Sequence, residues 1–201
     1  MRAKGGAVLK LGEKQLELAA TQRNLRALRG ALRTLVVTVP FEKITVRMIC
    51  ESAAISRATF YNYFEDLNDF LSYSLDKPFR AITETDSTEL SREQVAKILV
   101  LGFDYIDANA QKMEEMMRVN SGSNALLLWL KRELQARLLA AFREETVGRT
   151  LRCDPQLVAM LLTGVLSLLI ETKLRDLSGL SREEALAFLS TAVNYEQLGL
   201  R

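Results

Sequence analysis

Residues 41–71 read FEKITVRMICESAAISRATFYNYFEDLNDFL, and this stretch decides the fold of the N-terminal part. Two short helices are predicted, Thr45–Ala53 and Ser56–Tyr63, and each begins at a hydroxyl residue suited to capping a helix N-terminus. So few residues separate them that they must cross at a steep angle, which is the geometry of a helix-turn-helix. Five apolar residues are placed to converge on a preceding helix: Ile49, Ala53, Ile55, Phe60 and Phe64.

The second helix of this motif directs polar and aromatic side chains away from the predicted core. Those side chains belong to Ser56, Arg57, Thr59, Tyr61, Asn62 and Tyr63. Arg and Asn side chains make bidentate contacts to base edges in the DNA major groove, and hydroxyl groups bond to phosphates. A solvated surface of mixed polarity is the alternative interpretation of each position taken alone. The pattern as a whole predicts a DNA-recognition helix.

The net charge of +2 conceals an uneven distribution along the chain. Residues 1–64 contain eleven Lys and Arg against four Asp and Glu, net +7, whereas residues 65–201 contain sixteen against twenty-one, net −5. A basic segment attracts a polyanion whatever the sequence of that polyanion. The first third of the chain therefore favours nucleic-acid binding, and the acidic remainder indicates a different role.

Helical spacing of apolar residues continues along the chain, without sustained period-two alternation or an Asn-Gly hairpin signal. The three prolines fall at breaks between predicted helices, and we predict an all-α fold. Outside the motif, the predicted helices run from Thr21 to before Pro40, from Asp66 toward Pro78, from Ser91 past Ile106, from Gln111 to Arg118, from Ala125 to about Val147, from Asp154 to about Arg175 and from Ser181 to about Gln197.

The motif resembles the DNA-binding signature of TetR-family transcriptional regulators over roughly residues 24–76. The matching features are Phe41, Thr45-Val46-Arg47, Ile49, the turn Ala53-Ala54-Ile55-Ser56, Thr59-Phe60-Tyr61 and Tyr63-Phe64. The resemblance implies that DNA is faced by Thr45, Arg47, Arg57, Ala58, Thr59, Tyr61, Asn62 and Tyr63. The charge and helix pattern predict a basic N-terminal extension at residues 1–20 and a helix-turn-helix domain at 21–77. The resemblance implies a helical ligand-binding and dimerisation domain at 78–201.

Two positions depart from the family pattern. The turn carries Ala54 in place of the usual glycine, which costs about 1 kcal/mol if the backbone there is left-handed. Leu67 replaces a lysine near the start of the fourth helix. That helix start is acidic because of Glu65, Asp66 and Asp69, and we expect these carboxylates to repel phosphate.

The last two long helices are apolar on more than one side, so their surface must be buried once inside the subunit and once against a partner. We predict a four-helix dimer interface, with an ordinary intrachain core as the alternative. A dimer would place two recognition helices on a two-fold symmetric operator. The predicted interface residues are Met160, Leu161, Gly164, Val165, Leu168, Phe188, Leu189 and Ala192.

Soft and aromatic residues on the preceding helices suit an adaptable pocket for a small hydrophobic or aromatic effector. The predicted pocket residues are Phe103, Met113, Met117, Trp129 and Phe142. An ordinary hydrophobic core is the alternative interpretation.

The sequence lacks the residues that common catalytic and metal sites require. Histidine is absent, and the two cysteines, Cys50 and Cys153, are expected to be small buried residues in a reducing compartment. No phosphate-binding glycine loop or metal-ligand cluster is apparent, so we expect neither an enzyme nor a cofactor. The N-terminus lacks a signal peptide, and the apolar stretch from Leu157 to Ile170 is short for a membrane span, so we expect a cytoplasmic protein without membrane contact.

These patterns predict a sequence-specific DNA-binding transcriptional regulator, a homodimeric repressor controlled by a small-molecule effector. The alternative is a TetR-like scaffold that acts mainly through protein partners and binds DNA weakly. Leu67 and the acidic helix start favour the alternative, whereas Arg57, Thr59 and Asn62 argue against it. Direct measurement of DNA binding separates the two.

Overall fold

The structure is a computed structural model that describes residue 10 and residues 18–74, 91–145, 152–177 and 179–200, with the side chains of 141–145 outside the described part. Every regular element in these ranges is an α-helix or a 3-10 turn, so the predicted all-α fold is confirmed. The chain forms two compact units. Unit 1 comprises Met1–Lys77 and Glu115–Leu126, and unit 2 comprises Pro78–Glu114 and Leu127–Arg201.

Unit 1 contains the helix-turn-helix. Its described helices are α1 (Ala19–Leu35), α2 (Val46–Ala53), α3 (Arg57–Tyr63) and α4 (residues 67–74), with a 3-10 turn at Phe41–Lys43. Helix α1 ends at Leu35, earlier than the sequence predicted. The β-branched residues that follow and the proline at 40 both disfavour continuation of a helix.

Side-chain caps fix the starts of the next helices. The Thr45 hydroxyl accepts a hydrogen bond from the Met48 amide at 3.3 Å, and the Ser56 hydroxyl accepts one from the Thr59 amide at 3.0 Å. Each cap satisfies an amide that has no partner within its own helix. The two helices therefore begin where the sequence predicted.

An aromatic cluster holds α3 against the rest of unit 1. Phe60, Phe64 and Phe70 are each fully buried, and their ring centroids lie 5.2 to 5.6 Å apart in tilted or edge-on contacts. Burial of one such side chain contributes about 1.5–3 kcal/mol. Leu25 and Leu28 of α1 belong to the same core. The orientation of α3 is therefore set by packing on its inner face.

The turn between α2 and α3 places Ala54 in the left-handed region, with φ 54° and ψ 41°. It is the only non-glycine residue with positive φ in the described ranges. The Cβ atom of an L-residue crowds the backbone in this conformation. The strain expected for alanine at this turn is present.

Replacing Ala54 with glycine is expected to stabilise the protein by about 1 kcal/mol, because glycine reaches positive φ without steric cost. Urea unfolding followed by circular dichroism measures the change. Ala53→Gly is the matched control: it lies within α2, where the same substitution destabilises by about 0.5–1 kcal/mol. Equal effects of the two substitutions would contradict the strain at Ala54.

A buried asparagine side chain forms hydrogen bonds with backbone groups of the segment between α1 and α2. Asn120 is 6% exposed, and its Oδ1 accepts a hydrogen bond from the Phe41 amide at 2.8 Å. Its Nδ2 donates to the Met116 carbonyl at 2.8 Å and lies 3.5 Å from the Val36 carbonyl. Residues Glu115–Leu126 are joined to the helix-turn-helix through these bonds, all within unit 1.

Asn120→Ala is expected to destabilise unit 1 by about 1–3 kcal/mol, because it removes the acceptor that the half-buried Phe41 amide uses. Hydrogen exchange of residues 36–44 reports the loss locally, and urea unfolding reports it globally. Asn109→Ala is the control, since the Asn109 side chain donates to a carbonyl one turn earlier in an exposed position. Unchanged protection of the Phe41 amide would contradict the role of Asn120.

The remaining described helices are α5 (Arg92–Ala108), α6 (Ala110–Val119), α7 (Ala125–Glu145), α8 (Pro155–Arg175), α9 (Arg182–Ala192) and α10 (Tyr195–Leu198). The prediction of one last helix through Gln197 is wrong. Val193 is extended and 2% exposed, and the Asn194 side chain accepts a hydrogen bond from the Gln197 amide at 3.1 Å. This cap starts α10 as a separate helix.

Helix α8 packs against α5 and α9 in the core of unit 2. Ion pairs add to this packing: Lys173 Nζ lies 2.9 Å from Asp107 Oδ1, and Arg182 Nη1 lies 3.1 Å from Asp104 Oδ1. By length and mean hydropathy, 1.8, α8 could cross a membrane. The core helix of a soluble protein meets the same criterion, and Leu162 of α8 is fully buried here.

The two cysteines differ in environment. Cys50 is buried in the core of unit 1, and burial raises the pKa of its thiol. Cys153 is exposed just before α8, contrary to the expectation that both are buried.

Candidate nucleic-acid interface

Helix α3 presents a continuous exposed surface opposite its aromatic inner face. The exposed residues are Ser56, Arg57, Ala58, Tyr61 and Asn62, and Thr59 is half-buried. The ring of Tyr61 packs edge-on against Phe60 at 5.5 Å between centroids, and the residue is 40% exposed. The buried aromatic cluster therefore supports this surface directly from beneath.

The polar groups on α3 divide into capping groups and free groups. The Ser56 and Thr59 hydroxyl oxygens lie 2.9 Å apart, in addition to the cap that Ser56 provides. Within the described residues, the side chains of Arg57 and Asn62 have no hydrogen-bond or ion-pair partner. A long donor and an amide that are exposed and unpaired can bond to base edges without first breaking another contact.

Tyr63 differs from the expectation that it points outward. It is 8% exposed, and its hydroxyl oxygen accepts a hydrogen bond from Asn24 Nδ2 at 2.9 Å. Its carbonyl oxygen accepts a bond from the Lys10 amide at 3.1 Å. These contacts join the end of α3 to α1 and place Lys10 beside it. The sequence pattern missed Asn24, whose position on the polar side of α1 gave no distinctive signal.

The two predicted contact residues on α2 are exposed. Thr45 caps the helix, and Arg47 pairs with Glu51, with Nε 2.7 Å from Oε1. The hydrogen bond and charge of Glu51 raise the pKa of Arg47. Because both side chains are well exposed, this pair contributes little to stability, and the guanidinium can exchange Glu51 for a phosphate.

The acidic start of α4 has a structural explanation. Asp66 Oδ1 accepts a hydrogen bond from the Asp69 amide at 2.9 Å, and Asp69 Oδ2 accepts one from the Glu65 amide at 3.2 Å. Carboxylates at a helix N-terminus are stabilised by its unpaired amides and its dipole. Leu67 is half-buried against the core of unit 1. Leu67 and the acidic residues at the start of this helix are thus both used in folding.

Basic residues line α1. Arg23, Arg26 and Arg33 are exposed, and Arg29 lies over the Tyr73 ring at 5.4 Å from its centroid. With Lys10, these residues place several positive charges on α1 and beside the end of α3. They supply attraction for phosphate that does not depend on base sequence.

The predicted effector residues are not brought together into one described cavity. Phe103 is fully buried in the core of unit 2, Met113 and Trp129 are half-buried in that unit, and Met117 is half-buried in unit 1. The side chain of Phe142 lies outside the described part. An effector pocket at these residues stays a prediction.

Five of the eight predicted dimer residues form an exposed apolar face on α8 and α9. Met160 is 50% exposed, Leu161 43%, Leu168 55% and Phe188 49%. Leu157, which the prediction omitted, is 62% exposed on the same helix, and the exposed Ala192 extends the face along α9.

Three of the predicted residues lie farther inside. Leu189 is 2% exposed and packs in the core of unit 2 with Ala185, one turn earlier, and Val165 is half-buried against that core. Gly164 is half-buried, and a Cβ atom added there would meet nothing within 4 Å. The face therefore has room for close approach at Gly164.

No protein-family model matches the sequence. The nucleoid occlusion factor SlmA of Alteromonas mediterranea is 26% identical over 160 residues, covering 70% of this chain and 79% of that protein. This similarity covers more than the helix-turn-helix.

Three solved structures are similar. The dihydroxyacetone kinase operon activator DhaS is 16% identical with a TM-score of 0.46, over 87% of this chain and 96% of that one. A Rhodococcus protein assigned to the TetR-family transcriptional regulators is 20% identical with a TM-score of 0.49, over 84% and 96%. A Clostridium perfringens protein assigned to fatty acid metabolism regulators is 16% identical with a TM-score of 0.41, over 84% and 98%.

The fold and the motif define the class: an all-helical protein with an N-terminal helix-turn-helix. Within this class the chain is similar to proteins described as TetR-like regulators, the family whose signature residues 24–76 resemble.

Proposed function

We propose that this protein is a homodimeric transcriptional regulator that binds a two-fold symmetric DNA operator through α3. The observation that carries the proposal is the exposed surface of α3, where Arg57 and Asn62 have no partner among the described residues and lie above a buried aromatic core. A helix with this surface fits the major groove, where arginine reads guanine and asparagine reads adenine. The basic residues of α1 supply attraction to the phosphate backbone.

Selection from a randomised duplex DNA pool tests the proposal without knowledge of the operator. Enrichment of an inverted repeat, with half-sites about one helical turn apart, is the expected result. Titration of the enriched duplex at several salt concentrations then separates base reading from general attraction. Failure to enrich any sequence, together with weak and salt-sensitive binding, would overturn the proposal.

The basic N-terminal extension is proposed to strengthen binding by neutralising phosphates. Lys10 hydrogen-bonds through its amide to the end of α3, so this part of the extension lies beside the proposed interface. Deletion of residues 1–12 is expected to weaken operator binding and to flatten its salt dependence, because each lost phosphate contact lowers the slope by about 0.9. An unchanged operator affinity and an unchanged salt dependence would show that the extension does not contact DNA.

The dimer is proposed to form through the apolar face of α8 and α9. Exposed leucine, methionine and phenylalanine side chains on two adjacent helices gain stability when a second copy covers them. Two-fold pairing of this face would give each operator half-site its own α3.

The same arrangement suggests a mode of control, which we propose is repression. A dimer bound over a promoter would repress transcription. We propose that the protein acts in the cytoplasm. A small hydrophobic or aromatic effector bound to the helical domain at 78–201 would release DNA if it prefers a conformation with unsuitable α3 spacing. A thermal-shift screen of hydrophobic compounds, followed by operator titration with each hit, tests this control.

A further inference from the structure

An open pocket of about 300 Å³ lies on unit 2, and none of the residues predicted for an effector lines it. Helix α5 supplies Arg92 and Ala96, helix α9 supplies Leu186, Ala187 and Ser190, and α10 contributes Tyr195. All of these residues belong to unit 2. The pocket therefore combines one cation and two hydroxyl groups with an apolar floor.

Arg92 is available to a ligand. It is exposed at the first position of α5, and it has no ion-pair or hydrogen-bond partner among the described residues. The neighbouring acid, Glu93, is hydrogen-bonded to Ser91, which lowers the pKa of Glu93. The adjacent carboxylate is thus engaged by the helix cap.

Tyr195 offers a second donor. Its ring is buried in the core of unit 2, but its hydroxyl is accessible and has no hydrogen-bond partner among the described residues. Burial raises the pKa of this phenol, and the positive charge of Arg92, which lines the same pocket, opposes the effect. The phenol therefore stays protonated at neutral pH and can donate a hydrogen bond.

The remaining lining selects for a compact apolar body. Ala96 and Leu186 are half-buried and present only carbon atoms. The Ser190 hydroxyl donates to the Ala187 carbonyl at 2.8 Å, so its oxygen remains free to accept but not to donate. A doubly charged phosphate would use the single cation poorly, whereas a carboxylate matches one guanidinium and one phenol.

We propose that this pocket binds a compact carboxylate with an apolar ring or short branched chain, held by Arg92 and Tyr195 above Ala96 and Leu186. The carboxylate accepts hydrogen bonds from the guanidinium and the phenol, and the apolar body covers the alanine and leucine side chains. This site is distinct from the DNA interface and from the predicted effector residues. Its existence does not depend on DNA binding.

Isothermal titration of the full-length protein with benzoate tests the proposal. Benzoate is expected to bind saturably, and benzamide, its neutral analogue of the same shape, at least about tenfold more weakly, because a charged acceptor forms the stronger bond. Acetate is expected to bind more weakly than benzoate because it lacks the apolar body. Absence of saturable benzoate binding up to 10 mM (roughly the weak limit for a ligand of this size) would overturn the proposal.

Two variants locate the site. Arg92→Gln is expected to lower benzoate affinity at least about tenfold, with little effect on benzamide. Ala96→Leu fills the pocket and is expected to abolish binding of both compounds. Arg152→Gln, an exposed arginine of the same unit outside the pocket, is the matched control. Equal benzoate affinity in Arg92→Gln and wild type would overturn the assignment, whatever the DNA selection shows.

Discussion

Arg57→Ala is expected to lower affinity for the selected operator by at least about 30-fold. A bidentate arginine contact to a base is worth about 1–3 kcal/mol, and a dimer loses it once in each half-site. The exposed guanidinium has no partner in the described structure, so its removal should change the free energy of unfolding by less than about 0.5 kcal/mol. Fluorescence anisotropy with operator and scrambled duplexes measures the two affinities.

Arg57→Lys separates base reading from charge. Lysine keeps the positive charge but loses the planar fork that matches a guanine edge. We expect this variant to lose operator preference while the salt dependence of its binding stays that of the wild type. Arg152→Ala, outside the helix-turn-helix, should leave both quantities unchanged.

Two results would contradict the role of Arg57. Full operator preference in Arg57→Lys would mean that the side chain contacts phosphate rather than bases. An unchanged operator affinity of Arg57→Ala would mean that α3 does not read DNA at this position. Asn62 would then become the next residue to test.

The helix-turn-helix was predictable because its determinants are local. Thr45 and Ser56 stand at helix starts and carry their own caps, and the alternation of Phe60 and Phe64 with polar residues fixes which side of α3 is buried. The strain at Ala54 was expected from the family resemblance, because related sequences carry glycine at this position of the turn. These features depend on residues within one or two turns of each other.

The features that the sequence did not predict depend on distant contacts. Tyr63 is buried because Asn24, on another helix, meets its hydroxyl. The residues around Asn120 gave no indication of its role, because the hydrogen bond that it accepts from the Phe41 amide joins positions 79 residues apart. The interruption at Val193 arises where burial of a β-branched side chain and the Asn194 cap together outweigh helical spacing.

Leu168→Glu is expected to convert the protein from dimer to monomer at micromolar concentration. Leu168 is 55% exposed in the single subunit, so the charge costs little there. In a two-fold interface the substitution removes two leucine side chains, each worth about 1.5–3 kcal/mol, and adds two carboxylates that must be desolvated. We expect the dimer dissociation constant to rise by at least about 100-fold, measured by sedimentation equilibrium.

Leu128→Glu is the matched control, because Leu128 is 48% exposed but lies on α7, outside the face. It should leave the dimer intact. Loss of the dimer in both variants would indicate general destabilisation, and a dimer in Leu168→Glu would place the interface elsewhere. Operator affinity should fall when the dimer dissociates, since each monomer engages only one half-site.

Gly164→Leu is expected to stabilise the folded subunit and to weaken the dimer. Leucine favours the helix over glycine by about 1 kcal/mol, and a single subunit has nothing within 4 Å of the new Cβ. Combined with Leu168→Glu, it should therefore raise the stability of the monomer. In the otherwise unchanged protein it should weaken the dimer, because a partner helix that approaches at Gly164 meets the added side chain. A substitution that stabilises the subunit while separating the pair is the specific signature of an interface packed on this glycine.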